Sequence, residues 1–448
     1  MSVRSSFAEL AGRSSYRFLH HFFNGGSSLP GKLTLKLDPN ILQAFSKRYD
    51  LVIVTGTNGK TLTTALSVRV LREKYDQVLT NPTGSNMEQG IVTTFITAPR
   101  SKKRGLAVLE VDEANVVKVT KYITPIAFVF TNIFRDQMDR YGEIYTTYAK
   151  ILKGVKLAPH ATIIANGDEQ LFHSKDLPNP VIYYGFNHEY RPAFHAPANT
   201  DGLLCPKCQH ILQYHMRTYA GLGDYFCPHC GFHRPRLTYA VNKLGKMTPT
   251  QSSFEIDGQP FTIKIGGLYN IYNALAAYTL GRFLNVSPVQ IKHAFEADEK
   301  VFGRQEVINV EGKAVTLILV KNPVGLNQVL DMIETDPKPF SFVFLLNAKY
   351  ADGIDTSWIW DGNFEKLARS DIRQYMTGGE RYKDITTRLT MAGIDNVWHE
   401  PNLEKVLGKI KQLPSQHVYV LATYTAVLQF RKLLSEKGYF KKGGKHNG

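Results

Sequence analysis

Cysteine is scarce in this chain: four in 448 residues. All four fall in two knuckles, Cys205-Pro206-Lys207-Cys208 and Cys227-Pro228-His229-Cys230, with eighteen residues between them. That is the spacing of a four-cysteine zinc ribbon. Four thiolates close a tetrahedral site and leave no open position for water, so the expected Zn²⁺ is structural. With every cysteine committed, none is left over to act as a nucleophile. Long apolar runs are also missing. No stretch reaches the length of a membrane span, and the first 23 residues lack the continuous apolar core of a secretion signal. The chain is therefore expected in the cytoplasm, where paired cysteines serve metals rather than disulfides. Acids are in deficit, with Asp+Glu 39 against Lys+Arg 54 and a net charge of +15. The excess favours anionic partners: nucleotides, pyrophosphates, nucleic acid or an acidic membrane surface.

What is present begins with residues 51–64, LVIVTGTNGKTLTT. A β-branched run suited to a buried parallel strand breaks into a glycine-bearing turn and then a helical stretch over 64–74. Gly56 and Gly59 allow backbone N–H groups to approach a polyphosphate, and the helix N-terminus adds partial positive charge. In such a loop Thr57, Asn58 and Gly59 wrap the phosphates, Lys60 reaches the outer ones, and the Thr61 hydroxyl sits on Mg²⁺. Val54 stands where the general pattern has its first glycine, so the loop is a variant. Strands are expected over 106–111 and 126–131 as well, which makes residues 46–150 a doubly wound parallel sheet. The acids of LEVDEA (109–114) lie at the carboxyl end of a buried strand, where such sheets put their ligands, and Glu110 is the metal-side candidate. Asn81 and Thr83 belong to another loop at that edge.

TGTNGKT resembles the phosphate loop of the Mur ligase superfamily, whose members join carboxylates to amines through acyl phosphates. LEVDEA resembles that family's acidic strand end, TNIFRDQMDRYG (131–142) its TN-x-x-x-D-H-x-D segment, and GLYNIYNALAA (267–277) its G-x-x-N-x-x-N-x-x-A-A helix. Gln137 replaces the usual histidine. The resemblance implies ATP as substrate, with Asn270 and Asn273 placed to hold adenine or ribose. Their amides could equally satisfy the helix entry. Arg304, in VFGRQE, corresponds to the family's hinge arginine near the phosphates. The implied fold class is α/β: a doubly wound central ATP-binding domain over 46–305 with the ribbon inserted at about 201–235, then a C-terminal α/β domain over 310–448. The lead-in, residues 1–45, is too short for the domain that binds uridine nucleotides in relatives with soluble substrates.

Residues 321–327 (KNPVGLN), 351–361 (ADGIDTSWIWD) and 424–426 (YTA) resemble the MurT-type subfamily, the ligase subunit of lipid II isoglutaminyl synthase. This implies amidation of the D-glutamate α-carboxyl of lipid II, with ammonia from a glutaminase subunit of GatD type in a heterodimer. A basic chain acting on a lipid-linked substrate is expected to visit the inner membrane surface. The partner's histidine needs an acid to orient it, and Asp355 is the choice for that role. Two other functions stay open: an amino-acid-adding ligase of the folate or peptidoglycan type, and a nucleic-acid-binding ATPase suggested by charge and ribbon. The knuckle region lacks dense basic and aromatic interleaving, so no nucleic acid is expected.

Overall fold

The computed structural model describes residues 2–23, 28–81, 85–99, 103–136, 143–197, 200–297 and 305–440. Five short apolar strands, β1 (Tyr49–Thr55), β3 (Gly105–Glu110), β4 (Ala127–Phe130), β5 (Thr162–Asn166) and β6 (Val181–Phe186), run parallel, with β2 (Val78–Leu79) at one edge. Their alternation feeds two cores. Val52 and Val54 of β1 join Leu62, Leu66 and Ile271, whereas Leu51 and Ile53 join Ile41, Ile91 and Ile151. A strand buried on both faces needs helices on both faces, as in doubly wound sheets. Helices Lys60–Arg72 and Leu268–Phe283 cover one side, and Ile41–Ser46, Glu88–Thr97 and Ile144–Val155 the other.

β7 (Phe194–His195), β8 (Gln213–Arg217) and β9 (Gly223–Phe226) form a separate antiparallel sheet around a small core that includes Cys205, Tyr214, Tyr225 and Cys227. The ribbon fold thus begins at Phe194, before its expected start near 201. The chain then rejoins the large sheet, β10 (Tyr239–Thr248) lying parallel to β6. β11 (Gln251–Ile256) and β12 (Gln259–Ile263) extend it as a hairpin. Asp257 and Gly258 turn it with φ of 50° and 76°. The order among described residues is β12-β11-β10-β6-β5-β4-β1-β3-β2.

The second sheet has the order β13-β14-β18-β15-β16-β17: Glu306–Val310, Lys313–Leu319, His417–Ala422, Phe340–Leu345, Ile372–Gly378 and Val397–Glu400. Only β13 is antiparallel to its neighbour. Helices Pro323–Ile333 and Tyr382–Met391 pack on one face, Leu403–Gln412 and Tyr424–Glu436 on the other. Phe364–Arg369 is a 3-10 helix. The lead-in is helical: it opens with Val3–Phe23, followed by Leu29–Leu37 and Ile41–Ser46, and Ala8, Ile41, Leu42 and Phe45 lie in the central core.

Candidate functional site

The carboxyl ends of β1, β3 and β4 meet the amino end of helix Pro323–Ile333 across a cleft of about 560 Å³. The loop after β1 takes its shape from its own backbone. Gly56 and Gly59 have φ of 130° and 84°. A Cβ on Gly56 would come within 2.3 Å of Thr131 Oγ1, and one on Gly59 within 2.1 Å of Asn273 Oδ1. Glycine is required at both positions by conformation and by space.

The 131–134 segment holds this loop from below. Thr57 N–H donates to the Asn132 carbonyl (2.8 Å), Asn58 N–H to Asn132 Oδ1 (2.9 Å), and Thr131 Oγ1 to the Asn58 carbonyl (2.8 Å). Thr57 Oγ1 accepts from Phe134 N–H at 3.1 Å. The helix, expected from residue 64, starts at Lys60 itself. That places Lys60 and Thr61 in the first turn, beside the cleft.

Lys60 is buried, and its Nζ donates to the Gly56 and Thr57 carbonyls at 2.5 and 3.2 Å and to both Glu113 oxygens at 3.2 and 3.3 Å. Burial alone would lower its pKa; Glu113, Asp112, Glu110 and Asp136 together outweigh it and hold the ammonium above the usual lysine value. Glu113 is raised because burial outweighs the Lys60 charge. The strongest partner of the lysine is therefore Glu113, a residue that the acidic strand end points to only as a group.

Glu110 lines the cleft, buried, with Oε1 accepting from Asn86 Nδ2 at 3.1 Å. Asn81 acts on backbone: its side chain accepts from Glu110 N–H (2.9 Å) and donates to the Glu110 carbonyl (2.8 Å), clamping the strand end. Asn270 and Asn273 border the cleft, but their amides are engaged inside the protein. Asn270 Nδ2 donates to the Gly266 carbonyl at 2.6 Å, Asn273 Nδ2 to Asn270 Oδ1 at 3.2 Å, and Thr63 Oγ1 to Asn273 Oδ1 at 3.1 Å. They brace the loop against the helix Leu268–Phe283. Asp168 is absent from the cleft lining and buried; it accepts from Arg234, Tyr272 and the Phe186 N–H. Thr83, Gln137 and Arg304 lie outside the described residues. Gln305, beside Arg304, borders the cleft and bonds Gly266.

The second domain closes the cleft with residues that sequence reading had quoted without a role. Asn322 caps helix Pro323–Ile333 by accepting from Gly325 N–H, and its amide exchanges hydrogen bonds with Asn58 at 2.8 and 3.2 Å. Lys321 Nζ pairs with Asp136. No spacing rule reaches such partners, which lie 264 and 185 residues apart.

Outside the cleft, two of the three aspartates in residues 352–361 have different fates. Asp352 is buried and accepts from Thr425 N–H (2.7 Å), Thr425 Oγ1 (2.5 Å) and Lys349 N–H (3.0 Å). Asp355 is exposed and accepts from Ser357 N–H and Oγ, both at 2.8 Å, at the start of the 3-10 helix Ser357–Asp361. Exposed Tyr350, Ile354 and Trp360 surround it in sequence.

The four cysteine Sγ atoms lie within 4.8 Å of one another, with Cys205–Cys230 at 3.6 Å and Cys208–Cys227 at 3.5 Å. A tetrahedral zinc with sulfurs at about 2.3 Å sets edges of about 3.8 Å, so the donor set fits that ion. The knuckles repeat one geometry: Gln209 and Gly231, each one residue after its second cysteine, have φ of 64° and 74°. Each donates its N–H to the carbonyl of the first cysteine of its knuckle.

Residues 319–427 match the family MurT ligase C-terminal, and residues 54–209 the Mur ligase middle domain. The chain is 51% identical over 445 residues to lipid II isoglutaminyl synthase (glutamine-hydrolyzing) subunit MurT of Streptococcus pneumoniae, covering 99% of each chain. It is 35% identical to the subunit of the same name from Staphylococcus aureus strain COL, covering 83% of this chain and 84% of that one. In fold it is similar to a pseudomurein peptide ligase type C from Methanothermus fervidus, with a TM-score of 0.64 at 19% identity over 89% and 81% of the two chains.

Proposed function

The chain belongs to the MurT family of Mur-type ligases, and from that membership we propose that it is the ATP-using subunit of a lipid II isoglutaminyl synthase. A carboxylate oxygen of the substrate's D-glutamate attacks the γ-phosphorus of ATP, giving an acyl phosphate and ADP. Ammonia then attacks the acyl carbon, inorganic phosphate leaves, and the surplus proton passes to solvent. The product is the D-isoglutamine amide.

The residues of the cleft support this chemistry by position and charge. The ammonium of Lys60, buried at the head of its helix beside the loop's N–H groups, is aimed where negative charge accumulates on the transferring phosphoryl group. Before ATP arrives, Glu113 and the loop carbonyls hold that ammonium in place. Thr61 and Glu110 are the residues that would hold a Mg²⁺, which would offset the negative charge of the phosphates. Asn58 and Asn322 link the loop to the second domain, so closure over substrate and shaping of the loop are one movement.

The observation that carries the reading is the separation of the two acid regions. The phosphate loop and its acids line an interdomain cleft, whereas Asp355 presents its carboxylate outside that lining, on a segment where Ile354 and Trp360 are exposed. We assign Asp355 to the histidine of a GatD-type glutaminase docked there, since no cysteine of this chain is free of the ribbon. The lipid-linked substrate places the complex at the inner membrane surface. The ribbon holds one zinc: Cys205→Ser is expected to lose metal and thermal stability together, as elemental analysis and unfolding would record.

The test is amidation by the purified two-subunit complex, with ATP and either glutamine or ammonium as nitrogen source, read by mass spectrometry of the stem peptide. Amide formation with both sources is expected. Consumption of ATP only when a free amino acid is supplied would replace the proposal with an amino-acid-adding ligase.

A further inference from the structure

The first helix, Val3–Phe23, is mounted the wrong way round for an ordinary surface helix. A helix on a protein surface turns its apolar stripe inward and its polar face to water. Here Val3, Phe7, Leu10, Phe18 and Phe22 are 90, 62, 61, 57 and 64% exposed. At 100° per residue these five share a stripe about 120° wide. The inward face is small and polar. Ser5, Ala8, Glu9 and Gly12 are buried, and Ser5 Oγ donates to Asp38 at 2.7 Å. A Cβ on Gly12 would fall 2.2 Å from Thr34 Oγ1 and 2.8 Å from Ile96. Backbone is thus pressed against the body of the protein at that point, and the helix cannot roll its aromatic side inward without losing this fit.

Charge says what the outward face meets. Residues 1–37 contain Arg4, Arg13, Arg17, Lys32 and Lys36 against a single acid, Glu9. Glu9 is buried between Arg13 and Arg48, which leaves the exposed surface of this segment cationic. The next helix, Leu29–Leu37, packs beside the first and repeats the pattern, with Leu29, Lys32, Leu33 and Lys36 exposed. An outward apolar stripe flanked by arginine and lysine has the composition of helices that lie in a bilayer interface. No helix among the described residues is long and apolar enough to cross a membrane.

We propose that the two N-terminal helices form a docking face for an anionic lipid surface, the stripe of Val3, Phe7, Leu10, Phe18 and Phe22 entering the headgroup and acyl boundary. The face is coupled to the cleft through one helix. Gly31 lies against the Gln89 carbonyl and donates its N–H to Thr93 Oγ1, both on helix Glu88–Thr97, and the residues just before that helix, Asn86 and Met87, border the cleft. A docked platform therefore holds the acid cluster at a fixed height above the lipid. The purpose of the face rests on the lipid-linked substrate proposed above; its binding to lipid does not.

The test is flotation of the full chain, alone and in complex with its glutaminase, on vesicles of phosphatidylcholine with or without one part in three of phosphatidylglycerol. Substrate and ATP are omitted, so the result is independent of the reaction. Phe7→Ser/Leu10→Ser/Phe18→Ser changes exposed positions only, and an unchanged unfolding midpoint verifies the fold. It is expected to reduce binding to anionic vesicles by about tenfold or more. Arg17→Glu/Lys32→Glu/Lys36→Glu should weaken binding to anionic vesicles by about fivefold per charge while leaving the weak binding to neutral ones unchanged. Both variants should amidate a soluble short-chain substrate normally and lose turnover on substrate embedded in vesicles. Failure of the unaltered complex to float, or variants that float like it, overturns the proposal. So does a variant that abolishes self-association in the ultracentrifuge when no vesicle binding exists, because the face then belongs to a second copy. Normal flotation with no amidation of either substrate would uphold the lipid face and overturn the reaction reading instead.

Discussion

In the interdomain cleft the buried acids are drawn into a lysine and a web of donors, whereas in the 352–361 segment one carboxylate is pinned and its neighbour three residues later is presented to solvent. The cleft concentrates Glu110, Asp112, Glu113 and Asp136 around Lys60, and burial makes each charge dependent on the others. The exposed segment keeps Asp355 in place through the Ser357 N–H and hydroxyl, so its charge can be offered elsewhere. Acids of one kind can thus build an internal electrostatic site or supply an external one. What decides is which neighbours the fold gives them.

The largest effect should follow from Lys60→Ala. It removes the cation proposed to meet the phosphates and is expected to lower amidation by about 10³-fold with glutamine and ammonium alike. Folding should survive, since Glu113 already has a raised pKa and can take up a proton when its partner is lost; circular dichroism checks this. Equal activity from the variant would break the assignment of the cleft.

Next is Asp355→Asn, which keeps shape and removes charge. Glutamine-dependent amidation should fall by about 10²-fold while high ammonium restores it in the assembled complex. If ammonium fails to rescue, the exposed acid serves the ligase reaction, and the contrast between the two regions collapses. Asp352→Ala sharpens the same contrast from the other side. Three hydrogen bonds to a buried carboxylate are lost, so stability should drop by about 2–3 kcal/mol in denaturant titration. Both nitrogen sources should then be affected equally.

The smallest effect concerns Glu169, buried with no paired cation among the described residues and pushed up to about 8 by desolvation despite hydrogen bonds from Ile133 and Leu171. In the folded protein it keeps its proton at pH values where the unfolded chain has lost it. Stability therefore falls as pH rises from the ordinary glutamate range toward about 8 and levels off above it. Glu169→Gln should flatten that slope, seen as unfolding midpoints that differ less between pH 5 and pH 8 than those of the unaltered chain. An unchanged slope would show that burial without a cation is not what separates Glu169 from Glu113.

Much of the framework was legible because it is local. The apolar run entering Gly56 and Gly59, the lysine and threonine after them, the acids closing β3 and the two knuckles are each set by a few consecutive residues, and the fold brings the first three to one cleft and the four cysteines together. Other features were illegible for want of any local signal. Asn81, Asn270 and Asn273 sit where the sequence suggested, yet their amides clamp a strand end and brace a glycine loop. The outward stripe of Val3–Phe23 reads in sequence as an ordinary core-facing pattern, and only the contact of Gly12 with Thr34 and Ile96 reverses it.

The sequence by itself determined a glycine loop at the end of a buried parallel strand, a four-cysteine ribbon and two α/β sheets, because backbone conformation, hydrophobic period and ligand spacing act over a few residues. Tertiary structure alone decided that Glu113 holds Lys60, that Asn322 meets Asn58 from 264 residues away, and that Asp352 is pinned while Asp355 is exposed. Those outcomes depend on burial and on the geometry by which two sheets are brought together, and neither is encoded in any short stretch of the chain.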